Sequence, residues 1–167
     1  VIVVPFVPGL LRSETAEWAG ERPTVLVPLD PADDQAYWQA LCRWWEIHDH
    51  LVIVEQDVLP AEGVVGEMLR CPEPWCVSPI PIYDPGPEGF STMVDSLGCA
   101  KFSRSLLAQC PGAAFDAYFP QGGDNAPPGT WKALDARLGT VLRKKGWVHH
   151  RHRPSRHLHG EPVLEGG

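Results

Sequence analysis

Residues 51–60 read LVIVEQDVLP, from Leu51 to Pro60. Four apolar residues, three of them β-branched, break abruptly into Glu55-Gln56-Asp57 and are closed by Pro60. A short apolar run stopped in this way predicts a buried strand of an α/β sheet. Two carboxylates at i and i+2 just past such a strand stand where open sheets bind ligands, beyond the carboxyl ends of the strands. Hard cations such as Mg²⁺ and Mn²⁺ take oxygen ligands, which makes Glu55 and Asp57 candidate metal ligands. The same pattern also fits a strand that exits into solvent at a polar turn.

Upstream, Val1–Val7 is apolar and β-branched and predicts a first strand, ended by Pro8-Gly9. Its prolines suggest an edge of the sheet. Leu10–Glu21 reads as a short helical or irregular link and Pro23–Leu29 as a second strand. Asp30-Pro31 offers an N-cap followed by proline at the first helical position, so a helix is expected from Pro31 to Ile47. Ala36, Tyr37, Ala40, Leu41, Trp44 and Trp45 fall at helical spacing and can cover a sheet face.

Downstream, Ala61–Arg70 predicts a helix, and Trp75–Ile82, with Pro79 and Pro81, an extended edge or connection. Asp84–Gly89 (DPGPEG) is a turn-rich loop suited to a flap, and Phe90–Val94 a short strand. Gly98–Gln109 reads as a loop entering a helix, with Lys101 near its start as an anion contact. Pro120–Gly129 is a loop, after which Thr130 caps a helix over Trp131–Lys145 that ends at Gly146. Trp147–His152 is the last expected strand. One α/β domain over residues 1–167 is expected, its sheet flanked by helices.

Composition narrows the function classes. The 167 residues are 44% hydrophobic and 21% charged, ordinary for a soluble globular protein. No stretch approaches the roughly 20 apolar residues that span a bilayer. The opening segment has no basic n-region and is broken by Pro5 and Pro8, unlike a secretory signal, so a cytoplasmic protein with a trimmed start is expected. Residues 1–136 hold 7 Lys and Arg against 19 Asp and Glu, while residues 137–156 hold seven basic residues and no acid. That distribution suggests a local anion site and argues against an extended nucleic-acid surface. The cysteines are five and scattered. Cys71 and Cys76 in CPEPWC have zinc-like spacing at its loose end, but no second close pair completes a site, so free buried thiols are expected. Trp75, Trp131 and Trp147 read as core or sugar-stacking residues, the core being favoured.

Three features in chain order then matter together: Glu55-Gln56-Asp57 after a strand, Asp135 in WKALDARL on the late helix, and His157-Leu158-His159-Gly160 near the end. In that order they resemble the short core of the GT-A class of nucleotide-sugar glycosyltransferases, with E-Q-D where that family carries D-x-D. The resemblance implies a Rossmann-like GT-A type domain with a mixed central sheet. It implies a divalent metal held by Asp57 and His157, with Glu55 as the first acid and His159 as alternate ligand. Asp135 is implied as the acid on the acceptor side, able to act as a base in an inverting transfer. The first strand would cradle the nucleotide through Pro5, Phe6 and Val7, with Gln56 beside the diphosphate. Lys101, Arg153 and Arg156 are the basic residues available to share the charge of the leaving phosphates. Mixed carboxylate and imidazole ligation suits Mn²⁺ better than Mg²⁺. The expected donor is a UDP-sugar, and the acceptor, a protein among the candidates, stays open.

Two other readings compete. A zinc- or iron-dependent hydrolase or nuclease would use the C-terminal histidines with Asp57, although no compact H-E-x-x-H motif is present. A non-enzymatic anion-binding domain would rest on Arg153 and Arg156 instead. The transferase reading requires that Asp57 and His157 meet in the fold.

Overall fold

The computed structural model describes residues 1–47, 49–83 and 91–158. Its strands are β1 (Ile2–Phe6), β2 (Thr24–Pro28), β3 (His50–Val54), β4 (Val58–Leu59), β5 (Trp75–Val77), β6 (Ile80–Tyr83), β7 (Ser91–Val94), β8 (Cys99–Ser103), β9 (His150–Arg151) and β10 (Arg156–His157). Its helices are α1 (Ser13–Gly20), α2 (Ala36–Ile47), α3 (Val64–Arg70), α4 (Arg104–Gln109), α5 (Ala113–Asp116) and α6 (Trp131–Lys144). Six strands form one mixed sheet in the order β2-β1-β3-β8-β5-β9. β1 runs parallel to both β2 and β3, β8 runs antiparallel to β3 and β5, and β9 is parallel to β5.

Leu51, Val52, Ile53 and Val54 have no exposed surface. Side chains alternate along a strand, so Leu51 and Ile53 join one core and Val52 and Val54 the other. The first core packs under α2, α4, α5 and α6; the second packs under α1 and α3. A strand covered on both faces reads as an unbroken apolar run, which is why this stretch announces the fold.

Several expectations give way to longer-range structure. β1 is not an edge: it lies between β2 and β3. Its pairing with β3 covers only Ile2 and Val3, so Pro5 falls past the shared ladder. α2 begins at Ala36 instead of Pro31 because Asp30 and Asp33 bend the chain first, accepting the amides of Ala32 and Gln35 at 2.8 Å each. Gly98–Gln109 is not a loop entering a helix. Cys99–Ser103 is the fully buried strand β8, and Ser103 then caps α4 by accepting the Leu106 amide at 3.3 Å. Trp75–Val77 is likewise interior, between β8 and β9. The last strand of the sheet is only His150–Arg151. The Asp84–Gly89 loop lies outside the described residues. Among the described residues no helix is long and apolar enough to cross a membrane.

Candidate active site

The carboxyl ends of β1, β2 and β3 share one edge of the sheet, and the chain turns sharply there after Val54. The Glu55 amide donates to the Gly98 carbonyl at 2.9 Å, and the Val58 amide to the Glu55 carbonyl at 3.0 Å. The Gln56 carbonyl takes the Arg12 amide at 3.1 Å, and the Thr15 hydroxyl donates to the Val58 carbonyl at 3.1 Å. The turn holding the two acids is thus fixed by β8 on one side and α1 on the other. The chain then enters β4, which pairs antiparallel with β10 in the register Arg156↔Leu59 and His157↔Val58. The Leu158 amide donates to the Asp57 carbonyl at 2.8 Å.

That register brings His157 to Asp57. Nε2 of His157 lies 3.3 Å from Oδ2 of Asp57, and Nδ1 lies 3.2 Å from the Pro81 carbonyl oxygen. Both partners accept, so Nδ1 carries a proton for the carbonyl, and Nε2 either donates a second one to Asp57, as imidazolium, or turns its lone pair to a cation beside it. Burial pulls the His157 value down, but the hydrogen bond and charge of Asp57 outweigh it and leave it raised.

Glu55 does not close with these two into a three-donor group among the described residues. It accepts the Tyr37 hydroxyl at 3.0 Å instead. Burial, then the charges of Asp135 and Asp57, push its value up to about 7, against the opposing pull of Tyr37 and His157. Burial, then Glu55, in turn hold Tyr37 well above the usual phenol range. Asp135, on the second turn of α6, is also raised by burial, with backbone hydrogen bonds opposing. The acids at this edge are therefore unequal: Asp57 is paired with an imidazole, and Glu55 is held in a drier place near Asp135.

A cleft of about 210 Å³ opens here, lined by Pro5, Phe6, Leu29, Tyr37, Glu55, Gln56, Asp57 and Trp131. The Val7 amide is engaged, donating to Oε1 of Gln56 at 2.6 Å, so these two staple the end of β1 to the turn. Asp135 lines a second cavity of about 300 Å³, together with Trp75, Asp95, Ser96 and Arg143.

Of the basic residues expected at a diphosphate, two lie elsewhere. Lys101 is 1% exposed inside β8, and its ammonium donates to the carbonyls of Cys71 and Glu73 at 3.0 and 2.6 Å. Arg153 is bound to Glu67 of α3 at 2.6 Å and to the Glu62 carbonyl at 2.8 Å. Arg156 is exposed and precedes His157 in β10, where strand alternation sets the two on opposite faces. His159 and Gly160 lie outside the described residues. The C-terminal histidines also part company. His149 pairs with Asp95 at 2.9 Å, His150 and His152 meet edge to face with ring centroids 4.9 Å apart, and among these described histidines His157 is the one that reaches Asp57.

Tyr37 was legible only as a packing residue and Trp131 first as one, with sugar stacking as its alternative, yet both line the cleft. Tyr37 did carry a signal: it is the member of the helical apolar stripe with a hydroxyl, and a buried hydroxyl needs a partner. Trp131 donates its indole N–H to the Asp33 carbonyl at 3.3 Å, which closes the cleft on the α2 side.

No protein-family model and no curated protein matches the sequence. Solved structures share the architecture. A197 from STIV superposes with a TM-score of 0.52 at 12% identity, covering 92% of this chain and 81% of its own. The 2-C-methyl-D-erythritol 4-phosphate cytidylyltransferase from Thermus thermophilus gives 0.51 at 12% identity, covering 92% and 87%. A glycosyltransferase involved in the glycosylation of the major capsid of PBCV-1 gives 0.49 at 10% identity over 98% and 95%. The first two show a common Rossmann-like mixed α/β fold, the kind a cytidylyltransferase is built on.

Proposed function

We propose that the protein is a metal-dependent glycosyltransferase, moving a sugar from a nucleotide-sugar donor, a UDP-hexose by preference, to an acceptor hydroxyl. One observation carries the reading: Asp57 and His157, a hundred positions apart, come to 3.3 Å at the carboxyl edge of the sheet, beside a cleft. Two neighbouring donors on an octahedral cation at about 2.1 Å each stand about 3 Å apart, so this spacing suits a shared Mn²⁺ or Mg²⁺. The Nδ1 contact with Pro81 is the outer hydrogen bond that a metal-ligating histidine needs to fix its tautomer. The carboxylate and imidazole pair favours Mn²⁺.

When bound, the cation would neutralise the charge that develops on the departing diphosphate. The chain supplies the rest. Pro5, Phe6 and Trp131 give apolar surface for the base. Glu55, held by Tyr37, lines the cleft without joining the metal pair. Asp135 lines the second cavity while its charge bears on Glu55 in the first. In this reading Asp135 takes the proton of an acceptor hydroxyl entering from that side, as an inverting transfer requires. Among the described residues that line the cleft there is no Lys or Arg, and in this reading the cation carries the phosphate charge.

The experiment is a thermal-shift series with UDP, GDP and CDP, each with Mn²⁺, Mg²⁺ or chelator, followed by UDP release from UDP-hexoses. Stabilisation by UDP that appears only with divalent cation, and disappears in Asp57→Asn, is expected. No shift by any nucleoside diphosphate with metal present overturns the reading. Pyrophosphate release from CTP in place of UDP release would move it to nucleotidyl transfer, the reaction class named by the cytidylyltransferase of similar fold.

A further inference from the structure

A second set of metal-ligating side chains lies on the face of the sheet under α1 and α3, away from α2 and α6, which wall the cleft. Cys71 ends α3 as its C-cap, Cys76 is fully buried in β5, and His152 follows β9. One donor atom from each, two sulfurs and an imidazole nitrogen, lie within 4.8 Å of one another. The juxtaposition is a product of strand register. β5 and β9 pair in parallel with Cys76 opposite His150, and the His152 amide donates to the Val77 carbonyl at 2.8 Å. Nε2 of His152 is closed to solvent and has no hydrogen-bond partner among the described residues. A buried polar atom left in that state calls for a ligand or an ion.

We propose that Cys71, Cys76 and His152 bind one zinc ion as a structural centre, with His150 as the fourth ligand. Two thiolates and imidazole form the borderline-soft set that zinc takes tetrahedrally, with Zn–S near 2.3 Å and Zn–N near 2.0–2.1 Å. Such a shell sets its sulfurs about 3.8 Å apart, so donors already within 4.8 Å need to close by only about 1 Å. His150 shares a face with Cys76, is exposed, and has its ring centroid 4.9 Å from that of His152. In sequence this is a C-x₄-C turn answered by H-x-H on a distant strand.

The turn that carries the two cysteines is braced from β8. Lys101, the register partner of Cys76 on β8, closes the Cys71–Pro74 turn through its bonds to the Cys71 and Glu73 carbonyls. Burial pushes the Cys76 thiol up to about 11, with Lys101 pulling against it. The Lys101 charge bears on the Cys76 sulfur, and the Glu67 charge on His152. Zinc here would tie the end of α3 to β5 and β9, anchoring the segment that leads to His157. The proposal does not depend on the transferase reading.

The test is metal analysis of full-length protein purified without chelator, then stripping and reloading with Zn²⁺ or Co²⁺. One zinc per chain is expected, and the Co²⁺ form should show a thiolate-to-cobalt charge-transfer band with tetrahedral visible bands. Cys71→Ser and Cys76→Ser should each abolish that band, and His152→Ala should weaken Zn²⁺ binding about a hundredfold or more. Asp57→Asn should leave the band unchanged, which separates this centre from the cleft. An unchanged cobalt spectrum in His150→Ala removes His150 from the assignment. The centre itself is overturned if wild-type protein gives no charge-transfer band and Zn²⁺ does not slow thiol titration. A Cys71–Cys76 disulfide in the native intact mass overturns it as well.

Discussion

Glu55 and Asp57 are two residues apart and chemically unlike because of what each faces. Asp57 meets an imidazole, while Glu55 meets a phenol and the field of another acid. The Glu55 value of about 7 stands above the ordinary 4.5, so its contribution to stability is complete below about pH 4.5 and is lost as pH rises through 7. In chelator-treated protein, Glu55→Gln should therefore raise stability at pH 8, by an amount on the order of 2 kcal/mol. It should change little at pH 5, where the native side chain is already protonated. Urea unfolding at the two pH values checks this, and parallel pH profiles for both proteins would refute it. The acids themselves were legible from LVIVEQDVLP; their division of labour was not, because it is set by Tyr37 and Asp135, 18 residues before and 80 after.

The loop between α5 and α6 is held by one buried side chain. Arg137 on α6 is 1% exposed, pairs with Asp124, and donates to the carbonyls of Tyr118, Ala126 and Pro127 at 3.1, 2.6 and 3.0 Å. Arg137→Met should cost about 3 kcal/mol, since an acid and three carbonyls lose their partner. Gly129 closes the same loop at φ +73°, where an added Cβ would sit 2.7 Å from Cε2 of Tyr118. Gly129→Ala should cost about 2 kcal/mol or more, from left-handed backbone and overlap together. Both are read from chemical denaturation midpoints, and costs below about 0.5 kcal/mol would contradict the assignment. At this scale the sequence was informative where signals are local: Trp131–Lys144 and Leu51–Val54 stand almost where pattern puts them. It misled where an interior strand carries a lysine. Cys99–Ser103 reads as a loop because nothing nearby in the chain reveals that two carbonyls 28 and 30 residues upstream satisfy Lys101. The basic run 137–156 misled in the same way. Arg137, Lys145, Arg151 and Arg153 each pair with a different acid and do not gather into one anion site.

Across the whole molecule, the sheet presents the ends of β1 and β3 on one edge, and the β4–β10 ribbon returns the far end of the chain to that edge. The six-stranded sheet is complete at Arg151, whereas His157 belongs to the ribbon. A chain ended after Ser155 should therefore still unfold cooperatively, at a lower temperature because Leu158 is buried. It should also lose Mn²⁺-dependent binding of UDP; calorimetry of both properties separates the scaffold from the site. That Asp57 and His157 meet was foreseeable only as a condition of the family resemblance, since the β4–β10 register that brings them together leaves no local mark in the sequence.

The most direct measurement is a double-mutant cycle on Mn²⁺ affinity in the presence of UDP, using Asp57→Asn, His157→Ala and the pair. If both side chains hold one cation, each single change should weaken Mn²⁺ by at least about tenfold, and the double mutant should be far weaker than wild type but less than the product of the two. Affinity that survives either single change, or losses that multiply independently, would contradict a shared cation.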